Sequence, residues 1–237
     1  MPITISGATL SGGSQFYVPP PPTLQGSAYF STSKYLSLGT ALTLGTTCTF
    51  ECWFRTTSNP ATSKFVLLGG SGNRGLNIYN GNYGQSNYSA TVINLDWETA
   101  DNKPFTVPTM TANTWYHLAA TFNAGTATLW LNGTRSSTGT IATGWNFQSQ
   151  TYRIGAWVSQ STYSQGVYIS NPRITTSAVY DVTQTTITVP TSPLTAIANT
   201  QLLLNTTNDG NFLKDSSINN ITITNTGNVI SSSLNPF

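Results

Sequence analysis

The segment Asn113–Gly133, NTWYHLAATFNAGTATLWLNG, constrains the fold of this 237-residue chain more than any other stretch. Its two halves alternate in side-chain character, as strands do when successive side chains point to opposite faces. Asn123-Ala124-Gly125 separates the halves, and Asn132-Gly133 supplies residues that tolerate positive φ. The stretch predicts a β-hairpin followed by a second turn into residues 134–137. One face of the first strand carries Tyr116, Leu118, Ala120 and Phe122, and the opposite face carries Trp115, His117, Ala119 and Thr121.

Further short strands are predicted along the chain, separated by turn residues at the spacing that an all-β sandwich requires. They include residues 64–69 (KFVLLG), 75–79 and 90–95 (ATVINL). Residues 96–110 contain Pro104 and Pro108 and are predicted to form one long connection, a loop length that favours a functional or interfacial role. No segment has helical periodicity over a useful length.

The hairpin resembles the signature hairpin of concanavalin A-like (laminin-G-like) jelly-roll sandwiches, with its N-x-W-Y-H start, Gly-containing turn and L-x-L-N-G end. Flanking segments agree with this resemblance, and they are residues 29–30, 35–38, 49–54, 152–156 and 167–174. The resemblance covers about residues 28 to 182; Asn171 stands where the family pattern usually has an acidic or amide residue, and Pro172 departs from the pattern. It implies an all-β fold, a jelly-roll β-sandwich of two antiparallel sheets. Because this fold hosts hydrolases, lectins, adhesins and structural modules, it leaves the function open.

The two ends of the chain differ from its centre. Residues 1–27 include four consecutive prolines, a stiff segment that cannot donate ladder hydrogen bonds, and are predicted to be an arm and spacer. The arm is either an edge strand with a linker or a tether that docks onto a larger assembly. Residues 28–185 form the predicted sandwich, and residues 186–237 a C-terminal β-extension packing on it. Within this extension, the pattern L-L-L…D-S-S-x-N-N-x-T-I-T resembles segments beside this jelly roll in bacteriophage virion proteins.

Charge content limits the classes of partner that are expected, and cysteine spacing indicates the redox state of the thiols. Only 7% of the residues are charged, and nine basic residues are scattered without a cluster, so nucleic acid is not an expected partner. The first charged residue is Lys34, and no long apolar run precedes it, so no signal peptide or membrane anchor is predicted. On one strand Cys48 and Cys52 would lie about 13 Å apart, too far for a disulfide. They are predicted to be buried free thiols made in a reducing compartment.

No catalytic residue is predicted. Retaining glycosidases need two carboxyl groups about 5–5.5 Å apart, and Asp96 and Glu98 are the only carboxylates that share one face in the sequence. Their surroundings do not match the hydrolase motif. Together with Asp101 they form a weak candidate for a calcium site, and no other cofactor is predicted. His117, the single histidine, is predicted to pack and form a hydrogen bond rather than to bind metal.

Two clusters rich in aromatic and amide residues are the predicted binding regions. Sugar rings stack on aromatic faces while amides bond hydroxyl groups, and the same composition also suits protein contacts. The residues predicted to bind carbohydrate or a partner are Tyr79, Tyr83, Tyr88, Trp145, Trp157 and Tyr163.

The sequence favours a non-enzymatic virion structural protein of a bacteriophage, a capsid decoration (cement) or fibre-associated subunit that displays a lectin-like domain. Such a protein would be made in the host cytoplasm and lie on the virion surface. Its expected partners are other virion proteins, contacted through the arm, and further copies of itself, with a trimer favoured. The alternative is a carbohydrate-binding adhesin that recognises host-surface glycans, and a glycoside hydrolase is third. No membrane partner is expected.

Overall fold

The computed structural model describes residues 25–70, 75–81, 88–96, 102–140, 146–158, 164–206 and 211–237. In chain order its strands are β1 (Ser27–Phe30), β2 (Tyr35–Leu38), β3 (Leu42–Gly45), β4 (Thr47–Thr56), β5 (Val66–Gly70), β6 (Asn77–Asn80), β7 (Val92–Asp96), β8 (Asn102–Thr106), β9 (Tyr116–Asn123), β10 (Thr126–Leu131), β11 (Thr134–Thr140), β12 (Phe147–Gln150), β13 (Tyr152–Ile154), β14 (Val167–Thr175), β15 (Thr200–Leu203), β16 (Ile223–Thr226) and β17 (Ile230–Ser232). The described residues contain one helical element, the 3₁₀ turn Asn211–Leu213. Within the same ranges no helix is long and apolar enough to span a membrane.

Two large antiparallel sheets form the molecule, which confirms the predicted all-β sandwich. The larger sheet has the order β11-β10-β9-β4-β14-β1-β17, with β15 paired to β14. The smaller sheet has the order β16-β2-β13-β5-β6-β7-β8, and β3 pairs with β12 apart from both. The inner faces of the two sheets share one continuous hydrophobic core.

The predicted hairpin is confirmed as β9 and β10. Phe122 lies opposite Ala127, and Leu118 lies opposite Leu131. Asn132 and Gly133 have φ of 48° and 78°, as the second turn requires. A Cβ atom at Gly133 would come within 2.6 Å of the Ile187 carbonyl oxygen, so both the backbone angle and the close approach favour glycine there.

The inner face of β4 supplies much of the core, because alternate residues point inward. Phe50 and Phe54 are at most 1% exposed, and each buried side chain of this size contributes about 1.5–3 kcal/mol. Cys48 and Cys52 lie on the same face and are buried and free, as predicted. The alternating residues Thr49, Glu51 and Trp53 therefore point to the outer face, where the candidate site lies.

The prediction of one long connection over residues 96–110 was wrong for residues 102–106. These residues form β8, in which Pro104 lies opposite Asn94 of β7. Strand β8 is the last of its sheet, and an edge position tolerates a proline that cannot donate a ladder hydrogen bond. Pro104 made the segment look like a loop in the sequence.

Strands from residues 186–237 enter both sheets. Strand β15 pairs with β14 and β17 pairs with β1 in the larger sheet, while β16 pairs with β2 in the smaller one. The C-terminal residues thus supply edge strands to the sandwich as well as packing on it.

A long connection between β14 and β15, residues 176–199, crosses the outer face of the larger sheet and is called the strap below. Backbone hydrogen bonds join Thr185 to Arg135 and Ile187 to Gly133 at its middle. Side chains of the sheet bond to its carbonyl groups as well. The Thr128 hydroxyl donates to Val182 over 3.1 Å, and the Trp130 indole donates to Gln184 over 3.1 Å. The strap is therefore held along its length by the sheet beneath it.

Candidate functional site

A β-bulge in β14 brings a cation to the outer face of the larger sheet. Ser170 lies opposite Trp53, and Arg173 lies opposite Glu51, so three steps along β14 match two along β4. The extra residue reverses the alternation and turns Arg173 outward. Asn171 has φ of 46° in this bulge, an angle that asparagine tolerates better than most residues. The positive φ of Asn171 thus gives a structural reason for an asparagine at this position.

Glu51 is the centre of a buried polar network on this face. Its Oε2 accepts a hydrogen bond from Arg173 Nη2 over 2.5 Å. Its Oε1 lies 2.9 Å from His117 Nε2 and accepts a second hydrogen bond from the Tyr180 hydroxyl over 2.6 Å. Arg173 Nη1 also donates to the strap carbonyl of Thr195 over 2.9 Å. Glu51 and His117 are 0% and 1% exposed, so these hydrogen bonds take the place of the ones that water would make to an exposed side chain.

The network keeps Glu51 ionised. Burial alone raises the pKa of its carboxyl group, but the contacts with His117, Arg173 and Tyr180 outweigh burial and hold that pKa below its ordinary value. Burial and the Glu51 carboxylate together raise the pKa of Tyr180, so Tyr180 stays a neutral donor. A buried charge of this kind is stable only while its partners remain in place.

A pocket of about 330 Å³ adjoins the network through His117. The residues that line it are Trp53, Trp115, His117 and Asn132 on the sheet side, Val189, Pro190 and Thr191 of the strap, and Pro236 and Phe237. Trp53 and His117 have ring centroids 4.8 Å apart, and the Phe237 ring meets Trp53 edge-on at 4.9 Å. Leu194 and Leu203 pack behind Trp53 and Trp115 in a second small core. We call this the outer pocket.

Polar groups are also present at the outer pocket. Asn132 is exposed, and its Oδ1 accepts a hydrogen bond from the His117 backbone N–H over 2.8 Å. This bond directs the amide NH₂ of Asn132 away from the strand backbone. Thr191 adds an exposed hydroxyl group on the strap side. The site thus combines flat rings with donors and acceptors of the kind that orient a small polar ligand.

The structure brings two of the predicted binding residues together on the outer face of the smaller sheet. Tyr79 and Trp157 make an edge-on ring contact at 4.8 Å. Lys64 Nζ lies 3.7 Å from the Trp157 ring centroid and 5.6 Å from that of Tyr79, and burial lowers the pKa of this lysine to about 8. The exposed fractions are 0% for Tyr79 and 5% for Trp157. The predicted binding role of these two residues stays a prediction.

The other predicted binding residues are not assembled by the described structure. Tyr88 is partly buried and precedes β7. Tyr83, Trp145 and Tyr163 lie outside the described residues. No contact between these four residues and the outer pocket is described.

The calcium prediction also stays a prediction. Asp96 ends β7, is 5% exposed, and lies opposite Asn77 and Asn102 in the sheet. Glu98 and Asp101 lie outside the described residues, so neither the calcium ligands nor the hydrolase pair can be measured. Among the residues that are described, no group of three His, Cys, Asp or Glu side chains could hold a metal ion.

Sequence reasoning missed the outer pocket and most of the network. The alternation did place Trp115 and His117 on one strand face. The predicted role of His117, packing with a hydrogen bond, is confirmed. Arg173 lies 122 residues from Glu51, and the bulge that turns it outward is not visible in a period-two pattern.

Several solved structures have a fold similar to that of this chain. A candidate carbohydrate-binding protein from Bacteroides ovatus has a TM-score of 0.64 at 16% identity; the alignment covers 91% of this chain and 61% of that one. The SAP-like pentraxin of Limulus polyphemus has a TM-score of 0.53 at 14% identity, covering 66% and 79% of the two chains. Domains LG4-5 of the mouse laminin α1 chain have a TM-score of 0.50 at 16% identity, covering 66% and 44%. Likeness at such identities shows the fold alone.

The sequence itself also matches a known family. No curated protein sequence matches the chain. Residues 30–182, which are more than half of the chain, match the laminin-G-type family model described as the concanavalin A-like lectin/glucanases superfamily. This protein therefore belongs to the concanavalin A-like lectin/glucanase superfamily.

Proposed function

We propose that this protein is a non-enzymatic carbohydrate-binding protein and that its outer pocket binds one sugar residue of a glycan. The observation that carries this proposal is the lining of the pocket. Two tryptophans, Trp53 and Trp115, stand beside a histidine, an exposed amide and a hydroxyl group within a single concavity. Aromatic rings take the apolar face of a sugar, and the polar groups take its hydroxyls.

The size and rigidity of the outer pocket support this assignment. Its volume of about 330 Å³ lies near the lower end of small-ligand sites, which span roughly 300–1,000 Å³. Trp53 and His117 belong to strands β4 and β9, and the strap is bonded to the sheet on the N-terminal side of its pocket residues. A pre-formed site of this kind loses little conformational entropy when a ligand binds.

The charge arrangement favours binding over hydrolysis. Glu51 adjoins the outer pocket through His117, and its two oxygens are occupied by Arg173, His117 and Tyr180. A glycosidase of the usual kind needs two carboxyl groups that flank the bond to be cleaved. Among the described residues that line the pocket, none has an Asp or Glu side chain.

The fold gives general support through its relatives. The Bacteroides ovatus protein with a similar fold is a candidate carbohydrate-binding protein, and the superfamily name includes lectins. This is an analogy at the level of fold, and the lining of the pocket gives it a location. A role on a bacteriophage particle remains a prediction from the sequence, to which the described residues add no separate observation.

A glycan array with two matched tryptophan variants tests the proposal. Trp115→Ala removes a partly buried ring from the outer pocket, and we expect it to weaken glycan binding about tenfold or more with little change in Tm. Trp157→Ala removes a tryptophan from the smaller sheet, and we expect it to lower Tm but to preserve binding.

The opposite pattern would assign binding to the Tyr79–Trp157 cluster instead. A wild-type protein that binds no glycan on the array, with or without calcium, would contradict the proposed function altogether.

A further inference from the structure

The outer pocket has the lining of a surface that binds proline-rich chain segments. Its residues include two tryptophans, Trp53 and Trp115, and Phe237, whose side chain is 39% exposed. Proline-rich segments form polyproline II helices, and these helices dock into grooves lined by aromatic rings. Because such a helix has no internal hydrogen bonds, its carbonyl groups are free to accept hydrogen bonds. The Asn132 amide and the Thr191 hydroxyl group are donors at the pocket.

The chain itself contains such a segment. Pro19–Pro22 is a run of four prolines in the arm, and residues 1–24 lie outside the described residues. Two residues join this run to Gln25, where the described structure begins. The arm has no charged side chain, and the described lining of the pocket has no Lys, Arg, Asp or Glu. Contact between the two would therefore bury none of these charged groups.

The described start of the chain lies beside the outer pocket. Ser170 of β14 lies opposite Trp53 of β4, so their side chains share the outer face and their Cα atoms are about 5 Å apart. The Ser170 hydroxyl group donates to the Gly26 carbonyl over 2.8 Å. The arm therefore leaves the larger sheet on its outer face, next to a residue that lines the pocket.

The C-terminal residues show that the pocket is within reach of this place. The Ser27 hydroxyl group donates to the Leu234 carbonyl over 2.7 Å, and three residues further on the Phe237 ring lies against Trp53. A stretch of three residues, at most about 10 Å long, thus joins the start of β1 to the pocket. The same number of steps separates Gln25 from the last of the four prolines.

We propose that the Pro19–Pro22 run docks in the outer pocket of its own chain, with proline rings against the tryptophans and carbonyl groups bonded to Asn132 and Thr191. The inference goes beyond the proposed function, because docking of the arm needs no glycan. Arm and glycan are alternative occupants of one pocket, so the arm sets the fraction of the pocket that is open to a glycan. A tethered segment competes at a high effective concentration even when its own affinity is low.

Disulfide capture in the full chain tests this docking directly. Cys48 and Cys52 are buried and free, so cysteines introduced at exposed positions are the reactive ones. We expect Pro20→Cys with Thr191→Cys to form a disulfide under mild oxidation within a monomer, identified on a non-reducing gel and by mass spectrometry. The matched control combines Pro20→Cys with Thr106→Cys, because Thr106 is exposed and lies in β8, at the edge of the other sheet. We expect the disulfide with position 191 to form at least about ten times faster.

A peptide titration gives an independent measure. A full-length variant in which Pro19–Pro22 are all replaced by serine keeps the pocket but lacks the docking segment. We expect a labelled peptide of residues 15–24 to bind this variant in fluorescence anisotropy, and the same peptide with four serines not to bind. Adding Trp115→Ala should weaken peptide binding about tenfold or more, whereas adding Trp157→Ala, in the smaller sheet, should preserve it. On the glycan array, the four-serine variant should bind more tightly than the wild type by a few fold.

The outcomes separate this inference from the proposed function. Equal rates of disulfide formation at positions 191 and 106, or a disulfide that forms only between two chains, overturn docking in the chain's own pocket. So does a proline peptide that binds no better than its serine counterpart, or one whose binding survives Trp115→Ala. Equal glycan affinity of the wild type and the four-serine variant overturns the competition. None of these results contradicts glycan binding. If the disulfide forms and the peptide binds but neither protein binds any glycan, the proposed function fails and docking of the arm stands.

Discussion

The outer faces of the two sheets both carry aromatic residues beside charged groups, but only the larger sheet has a described pocket there. On the smaller sheet, Tyr79, Trp157 and Lys64 pack against one another, and the two rings are at most 5% exposed. On the larger sheet, Trp53 and Trp115 also pack beside a polar network, yet the strap and Phe237 stand around them and leave a pocket. Aromatic content alone therefore does not indicate whether a pocket forms beside the rings. The pocket accompanies Trp115, which is only partly buried, whereas Trp53 is 4% exposed and is as covered as Trp157.

The two outer faces also differ in what their buried cations contact. Arg173 is paired with a carboxylate that has two further donors, whereas the Lys64 ammonium lies over two aromatic rings. Substitutions at these groups can therefore break or sharpen the comparison.

The largest effect is expected from Glu51→Gln. This change keeps the shape of the side chain but removes the charge that pairs with Arg173, so a buried cation loses its partner. We expect a loss of about 3 kcal/mol in the free energy of unfolding, measured by urea denaturation at pH 7. Asp181→Asn is the control, because Asp181 is exposed and bonds only locally to Thr183. A loss of less than about 1 kcal/mol would mean that the network is not a principal support of this face.

The stability difference between wild type and Glu51→Gln should depend on pH. The folded-state pKa of Glu51 lies below its ordinary value of 4.5, so its stabilising contribution is present above that pH and disappears as the pH falls through the folded pKa. The stability difference between wild type and Glu51→Gln should be larger at pH 7 than at pH 4, because it shrinks as the pH falls through the folded pKa of Glu51. A difference that stays constant down to pH 2 would contradict the lowered pKa.

A smaller effect is expected from Lys64→Met in the closed cluster. The methionine keeps most of the aliphatic stem, and the cation–π contact that it loses is opposed by the cost of burying the charge. We expect the free energy of unfolding at pH 7 to change by less than about 1 kcal/mol. Because burial lowers the pKa of Lys64 to about 8, the unfolded chain binds more protons between pH 8 and 10, and stability should rise there. Lys64→Met should lack this rise; an identical pH profile for the two proteins would refute the assignment.

The smallest effect on stability is expected from Phe237→Ala. The ring is 39% exposed, so its removal should change the free energy of unfolding by less than about 1 kcal/mol. It also forms a wall of the outer pocket, and we expect glycan binding to weaken by a few fold in equilibrium titrations. Ile218→Ala is the matched control, because Ile218 is 95% exposed and lies outside the pocket. Equal affinities for these two variants would remove Phe237 from the site.

Much of the sandwich could be predicted from the sequence because its signals are local. Alternation fixed the faces of β9 and β10, and Asn132-Gly133 fixed the turn after them. Strand β8 could not be predicted in this way, because Pro104 is tolerated only at an edge, and the position of a strand within a sheet is a tertiary property.

The candidate site was harder to predict than the fold for a related reason. His117 was placed on its strand face, but the bulge at Asn171 that turns Arg173 outward shifts the alternation by one residue. The strap and Phe237 contribute walls through contacts that no local pattern encodes. Tyr79 and Trp157 were selected for composition, and composition does not report how much of a ring is covered.

The way in which the strap closes the outer pocket has a consequence for any shortened form of this protein. The match to the superfamily ends at residue 182, before the pocket residues of the strap and before Phe237. A fragment cut at that boundary would contain the tryptophan floor without its walls. The pocket thus exists only when distant parts of the chain have come together, and a ligand that binds there stabilises the completely folded protein by mass action. Ligand binding would therefore serve as a measure of complete folding, which the presence of the sandwich alone does not provide.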